Sequence, residues 1–147
     1  MSMCYWIIQG VGLDTDNIYN HIDKAKLAVF LQRQFPDDEK IARMVLLHQY
    51  NELDVEEYLD GDPFHNLGDL LVHCDVTDTL IYGDDGENGS YIYYPPSMPW
   101  ERLKNDPRSI AEVHLRIIQA VKTIVSDLSD NEINSLIQDD LYIVGMG

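Results

Sequence analysis

The fold is decided by residues 79–94, which read TLIYGDDGENGSYIYY. Residues 79–82 and 90–94 are rich in β-branched and aromatic side chains, a composition that is typical of strands. Residues 83–89 lie between them and supply Gly, Asp and Asn, which tight turns favour. The stretch therefore predicts a β-hairpin, and the rest of its sheet must come from elsewhere in the chain.

The two chain ends supply the other predicted strands. Residues 5–11 (YWIIQGV) form a nearly continuous apolar run, which predicts a strand buried on both faces and hence a central position. Residues 141–144 (LYIV) have a similar composition and predict a final strand. With the hairpin, they predict one compact α+β domain over residues 1–147. Its sheet has about four mainly antiparallel strands, which pack against several helices.

Helical spacing of apolar residues and N-cap signals predict the helices. They are expected near residues 15–35, 38–48, 54–60, 66–74, 107–128 and 129–137. The strongest signal is that of residues 107–128, where Asp106 and Pro107 provide the start. His48 is predicted to continue the apolar face of the second helix, and Asp54 is predicted to open the third.

Composition narrows the class of partner. No apolar run approaches the roughly 20 residues that span a bilayer, and two distant cysteines, Cys4 and Cys74, predict reduced thiols and a cytoplasmic location. A net charge of −16 would repel nucleic acids and anionic membranes, because both are polyanions. The predicted partner is therefore a basic protein surface, without direct contact to nucleic acid or membrane.

The negative charge is concentrated between Arg43 and Arg102, where the chain has no Lys or Arg. This segment supplies −13 of the net −16 through Glu52, Asp54, Glu56, Glu57, Asp60, Asp62, Asp69, Asp75, Asp78, Asp84, Asp85, Glu87 and Glu101. Such segregation limits internal ion pairing and predicts a negative field from one part of the molecule.

Carboxylates on a rigid domain can imitate nucleic-acid phosphates, which follow one another about every 3.4 Å along a strand. Glu52, Glu56 and Asp60 are spaced by four residues and would line one helical face. We therefore predict a non-enzymatic acidic protein-binding module, of the class of phage-encoded nuclease inhibitors and immunity proteins, that blocks a basic nucleic-acid-binding surface. The predicted partner-binding carboxylates are Glu52, Asp54, Glu56, Glu57, Asp60, Asp62, Asp84, Asp85 and Glu87.

Aromatic residues beside the acidic turn extend this predicted surface. Tyr91 and Tyr93 share one face of their predicted strand, and with Trp100 they join the partner-binding set because Tyr and Trp are frequent interface anchors. Ordinary cross-strand packing is the alternative for the tyrosines. A merely solvated acidic face is the alternative for the carboxylates.

No sequence motif indicates a catalytic residue, a metal or a cofactor, and we predict none. His73 and Cys74 are neighbours, but adjacent residues on a helix point about 100° apart. Residues 14–17 and 84–88 supply oxygen ligands, yet neither stretch follows the calcium-loop pattern. The alternative is a small enzyme or ligand-binding domain, whose pocket would be assembled from distant residues such as His48, His73, Cys74 and the tyrosine cluster around Tyr91 and Tyr93.

Overall fold

A single antiparallel sheet organises the protein, whose computed structural model describes residues 5–87, 89–95 and 107–146. Its strands are β1 (Tyr5–Asp14), β2 (Ile81–Asp84), β3 (Ser90–Tyr94) and β4 (Gln138–Met146). They lie in the order β2-β3-β1-β4. The predicted hairpin is β2–β3, and the chain ends pair with each other as β1 and β4. The predicted α+β class and four-stranded antiparallel sheet are therefore confirmed.

The helices of the described residues connect these strands. They are α1 (Asp16–Tyr19), α2 (Lys24–Gln34), α3 (Glu39–Leu46), α4 (Leu67–Cys74), α5 (Ile110–Lys122) and α6 (Asp130–Leu136). Two 3₁₀ turns, Tyr50–Glu52 and Val55–Tyr58, lie between α3 and α4. None of the helices in this described part is both long enough and apolar enough to cross a membrane.

The single helix predicted for residues 15–35 is wrong, because the chain divides there into α1 and α2. Asp23 accepts hydrogen bonds from the backbone amides of Ala25 and Lys26 and so begins α2 as its N-cap. Just before it, Ile22 forms an isolated β-bridge with Val125. Apolar residues keep a helical spacing across this break, so their periodicity alone does not reveal it.

The segment after α3 also departs from the prediction. His48 has a φ of 53°, in the left-handed region, and its exposed ring does not continue the apolar face of α3. Asp54 does act as a cap, since it accepts a hydrogen bond from the amide of Glu56, but the turn that it opens is 3₁₀. Helix α5 is shorter than predicted and is capped by Ser109. The predicted start at Asp106 lies outside the described residues.

The main core fills the space between the helices and one face of the sheet. Leu13 of β1 and Ile92 of β3 are fully buried against Leu27, Leu71 and Ile117 of α2, α4 and α5. Burying each such side chain stabilises the fold by about 1.5–3 kcal/mol relative to leaving it exposed. The helical layer is therefore fixed to the C-terminal half of β1 and to β3.

The other face of the sheet carries a smaller core of its own. Its buried members are Ile8, Tyr91, Tyr93 and Leu141. Trp6 packs against them, and its indole N–H donates a 2.6 Å hydrogen bond to the backbone carbonyl of Asp84. This contact joins the start of β1 to the end of β2, although the two strands are not neighbours in the sheet.

β1 and β4 continue beyond the rest of the sheet as a two-stranded ribbon. β3 pairs with residues 11–14 of β1, whereas β4 pairs with it from Tyr5 to Gly12. The register shifts between Gly10 and Gly12, and such a bulge bends and twists the strands. On the face opposite the small core, the polar Gln9 and four apolar side chains stay exposed. The four apolar residues are called the ribbon face: Tyr5, Ile7, Tyr142 and Val144.

Candidate functional site

The candidate functional site is an acidic cleft of about 560 Å³. It lies where the start of α1, the 3₁₀ turn Val55–Tyr58, the start of α4 and the start of β3 come together. Its lining residues are Thr15, Asp16, Tyr19, Glu56, Leu59, Asp60, Asn66, Leu67 and Ser90. Within the described chain this lining includes three carboxylates and no Lys or Arg, so a positively charged group is the complementary ligand.

Two buried hydroxyl groups form the floor of the cleft. Thr15 donates from its hydroxyl to the backbone carbonyl of Ser90 at 3.0 Å, and the two hydroxyl oxygens lie 2.5 Å apart. The Ser90 hydroxyl oxygen also accepts a hydrogen bond from the amide of Gly68 at 3.3 Å. A Cβ at Gly68 would lie 2.8 Å from the carbonyl oxygen of Tyr91, so only glycine allows this approach of α4 to β3.

The carboxylates at the rim come from segments that are distant in sequence. Asp14 accepts a 3.0 Å hydrogen bond from the amide of Asp16, and Asp14 pairs with Tyr91 in the sheet. Partial burial raises the pKa of Asp16, and the negative charges of Asp14 and Asp85 raise it further. The hairpin carboxylate Asp85 therefore acts on the same site as the carboxylates at the end of β1.

Tyr19 separates the cleft from a second, smaller concavity. Its hydroxyl group donates a 3.1 Å hydrogen bond to Oε1 of Glu56, and both residues line both concavities. The second concavity measures about 380 Å³ and is lined by Tyr19, Lys24, Asn51, Glu52, Leu53, Asp54, Val55 and Glu56. Burial and the nearby carboxylates of Glu56 and Asp54 raise the pKa of Tyr19. Together the two concavities form a strip along which negative charge dominates.

The predicted partner-binding carboxylates fall into three groups. Glu52, Asp54, Glu56 and Asp60 line the two concavities and are exposed. Asp84, Asp85 and Glu87 belong to the hairpin turn, where Asp85 is half-buried because it accepts hydrogen bonds from turn amides. Glu57 and Asp62 are exposed but line neither concavity, and Glu57 lies 3.5 Å from the ammonium nitrogen of Lys40.

The predicted alignment of Glu52, Glu56 and Asp60 on one helical face is wrong. Glu52 ends one 3₁₀ turn and Glu56 belongs to the next. Leu53 lies between the turns with only 2 % of its surface exposed, so the chain dips into the core there. Glu56 and Asp60 nevertheless meet at the cleft, while Glu52 lines the neighbouring concavity.

The predicted aromatic surface is also wrong for the two tyrosines. Tyr91 and Tyr93 are only 6 % and 8 % exposed, because the ribbon packs its Trp6 and Ile8 side chains against them. They follow the cross-strand packing alternative and cannot anchor a partner in this conformation. Trp100 lies outside the described residues.

Asp14 and Asp16 are site residues that sequence reasoning missed, although the cluster of oxygen ligands at residues 14–17 is visible in the sequence. The sequence pattern favours helix N-caps at these two positions. In the structure, the residue that precedes α1 is Thr15, and its side chain makes no capping hydrogen bond. Its hydroxyl group is used for the floor of the cleft instead.

The residues of the enzyme alternative have no apparent catalytic arrangement. Burial raises the pKa of the Cys74 thiol to about 12, so it is not a thiolate at neutral pH. His73 lies with its Nδ1 atom 2.9 Å from the backbone carbonyl oxygen of Asp69, and neither concavity is lined by His48, His73 or Cys74. Within residues 5–87, 89–95 and 107–146, no group of three or more His, Cys, Asp or Glu side chains is arranged to hold a metal ion.

Comparison of the chain with known protein families, with curated proteins and with solved structures found no significant match.

Proposed function

We propose that this protein is a non-enzymatic binding module that docks its acidic cleft on a basic protein surface. The observation that carries the proposal is the cleft itself, where Asp16, Glu56 and Asp60 converge from two distant segments without a lining cation among the described residues. Charges that only keep a protein in solution can be spread over its surface. In a concave site their electric fields add and the carboxylates repel one another, so this arrangement favours a binding role.

The chemistry of the cleft favours a Lys or Arg side chain as the inserted group. Carboxylates at the rim accept charge-assisted hydrogen bonds from such a side chain, and the apolar lining residues Leu59 and Leu67 can cover its methylene groups. Burial and the charges of Asp14 and Asp85 raise the pKa of Asp16, and an incoming cation would relieve the repulsion between these carboxylates. Docking of a cation therefore gains electrostatic energy, because the carboxylates repel one another when no cation is bound.

In its specific form, the proposal makes the partner a nucleic-acid-binding protein, such as a nuclease, in the cytoplasm. A surface that binds phosphates presents clustered Lys and Arg, and the strip of Glu52, Asp54, Glu56 and Asp60 offers anionic oxygen atoms to such a cluster. The protein would then act as an inhibitor by competing with nucleic acid, and it would bind no nucleic acid itself because its own charge is −16.

The experiment is capture of basic proteins from the native extract, followed by competition with duplex DNA and by salt titration. Raising salt from about 50 to about 500 mM shortens the Debye length from roughly 14 to 4 Å and should slow association strongly. The variant Glu52→Lys/Asp60→Lys should lose capture. The matched control is Asp37→Lys/Asp140→Lys, which changes the net charge equally at exposed positions outside both concavities.

Two results would contradict the proposal. If both double variants lose capture equally, only the net charge matters and the cleft has no specific role. If a captured partner binds equally well at both salt concentrations and DNA does not compete, nucleic-acid mimicry is wrong.

A further inference from the structure

The ribbon face is an apolar surface on a strongly charged protein. Its residues Tyr5, Ile7, Tyr142 and Val144 are 61 %, 54 %, 57 % and 49 % exposed. Ile7 pairs directly with Val144 in the β1–β4 register, so the apolar surface extends across two strands, while Tyr142 lies opposite the polar Gln9. Single exposed apolar side chains are ordinary, but a contiguous group on neighbouring strands is typical of an interaction surface.

The backbone beside this surface is also available. β4 ends the strand order β2-β3-β1-β4, so no described strand pairs with its outer edge over Gln138–Met146. Proteins usually protect an edge strand of this length with charged residues or proline, because it can pair with another chain. Residues 141–146 contain neither.

We propose that β4 pairs antiparallel with β4 of a second copy of this chain, which gives a two-fold dimer with one continuous eight-stranded sheet. The distribution of charge favours a second copy as the partner. Each chain carries −16, but β1 up to Leu13 and β4 from Leu141 have no charged side chain, so two copies can pair there without bringing side-chain carboxylates together. A basic partner, in turn, finds no carboxylate on the ribbon face to attract it.

The antiparallel register makes the contact self-complementary. When the pairing is centred on Ile143, Tyr142 of one copy lies opposite Val144 of the other, so the two ribbon faces join into one apolar surface. Asp140 then lies opposite Met146 of the other copy, so the aspartates of the two β4 strands do not face each other.

The size of the contact sets its strength. Stable protein interfaces bury roughly 1,200–2,000 Å², and a strand edge of nine residues is a small contact by that standard. The dimer should therefore dissociate on dilution. It should also become stronger when salt screens the mutual repulsion of the two chains, which is opposite to the salt effect expected for binding through the acidic cleft.

Sedimentation velocity of the full chain from micromolar to millimolar concentration tests the proposal. The expected result is a rise in mass from 16.9 kDa to twice that value, at lower concentration in high salt than in low salt. Tyr142→Lys/Val144→Lys should abolish the rise, because it places Lys opposite Lys across the joint. Leu46→Lys/Val76→Lys is the matched control, since both residues are exposed apolar residues outside the ribbon face, and it should dimerise at least as well as the unaltered chain.

A charge-swap experiment separates a specific contact from general loss of apolar surface. The variant Tyr142→Glu/Val144→Glu should be monomeric alone, and should form a heterodimer when mixed with the lysine variant. A chain that stays monomeric at every concentration overturns the proposal, as does a dimer that persists in the lysine variant. Neither result affects the acidic cleft, because capture of a basic partner is measured separately.

Discussion

The acidic cleft and the ribbon face are both exposed, but they are built in contrasting ways. The cleft collects the like charges of Asp16, Glu56 and Asp60 in a concave site. The ribbon face of Tyr5, Ile7, Tyr142 and Val144 is apolar instead. The first surface repels a copy of itself and attracts cations. The ribbon face contains no charged residue. A single chain therefore presents two surfaces that do not compete for the same partner.

The largest expected effect concerns the small core that holds the ribbon in place. Ile8 is 1 % exposed and its neighbour Ile7 is 54 % exposed, so the same substitution at adjacent positions compares the two faces of β1. Ile8→Ala should lower the free energy of unfolding by about 2–5 kcal/mol, because it leaves a cavity against Tyr93 and Leu141.

Ile7→Ala is the control, and as a surface substitution it should change stability by only about 0.5 kcal/mol or less. Urea unfolding of both variants measures the difference. Equal losses would mean that Ile7 is buried in solution, which neither a free ribbon nor pairing at the outer edge of β4 predicts, because β1 does not lie at that edge.

The contrast between these two isoleucines also explains what the sequence could and could not predict. Composition rich in β-branched and aromatic residues identified the strands of the hairpin and both terminal strands, and turn chemistry identified the hairpin, because those signals are local. The second core depends on the bend near Gly10 and Gly12, which brings Trp6 and Ile8 over the hairpin. No local pattern contains that contact, so Tyr91 and Tyr93 were expected at the surface.

The acidic cleft also depends on contacts that a local sequence pattern does not contain. Charge counting predicted an acidic surface and included Glu56 and Asp60, but it assigned no role to Asp16. The missing information is the register that sets Asp14 opposite Tyr91 and the hydrogen bond from the amide of Thr15 to the Ser90 carbonyl. These long-range pairings bring the end of β1 to the hairpin, and a sequence pattern does not encode them.

Removing a hydroxyl group from the floor of the cleft should cause an intermediate loss of stability. Thr15→Val keeps the shape of the side chain but removes a buried hydroxyl group that bonds to Ser90. We expect a loss of about 1–3 kcal/mol, because polar groups of Ser90 then lose a buried partner. Thr123→Val is the control, since the Thr123 hydroxyl group bonds only within its own helix end, to Gln119. Thermal unfolding measures both, and an equal effect would show that the hydroxyl pair does not hold the cleft together.

The smallest expected effect is a gain in stability rather than a loss. It tests whether repulsion between the carboxylates near the cleft destabilises the folded state. The folded-state pKa of Asp16 is raised by burial and by Asp14 and Asp85, so its charged form destabilises the folded state. This destabilisation is present above the folded-state pKa and is lost as the pH falls toward the ordinary value of 3.8, because the folded state binds the proton more readily than the unfolded state. Asp16→Asn should therefore stabilise the protein at pH 7, by no more than about 0.5 kcal/mol for an exposed position.

Asp140→Asn, outside both concavities, is the matched control for one removed charge. Urea unfolding at pH 7 and at pH 3 decides the question. A gain for Asp16→Asn at pH 7 that disappears in acid, together with weaker capture of a basic partner, would show that the cleft gives up stability for binding. A loss of stability at pH 7 would mean that the favourable interaction of the Asp16 carboxylate with the first turn of α1 outweighs the repulsion, and the cleft would then be an ordinary solvated surface.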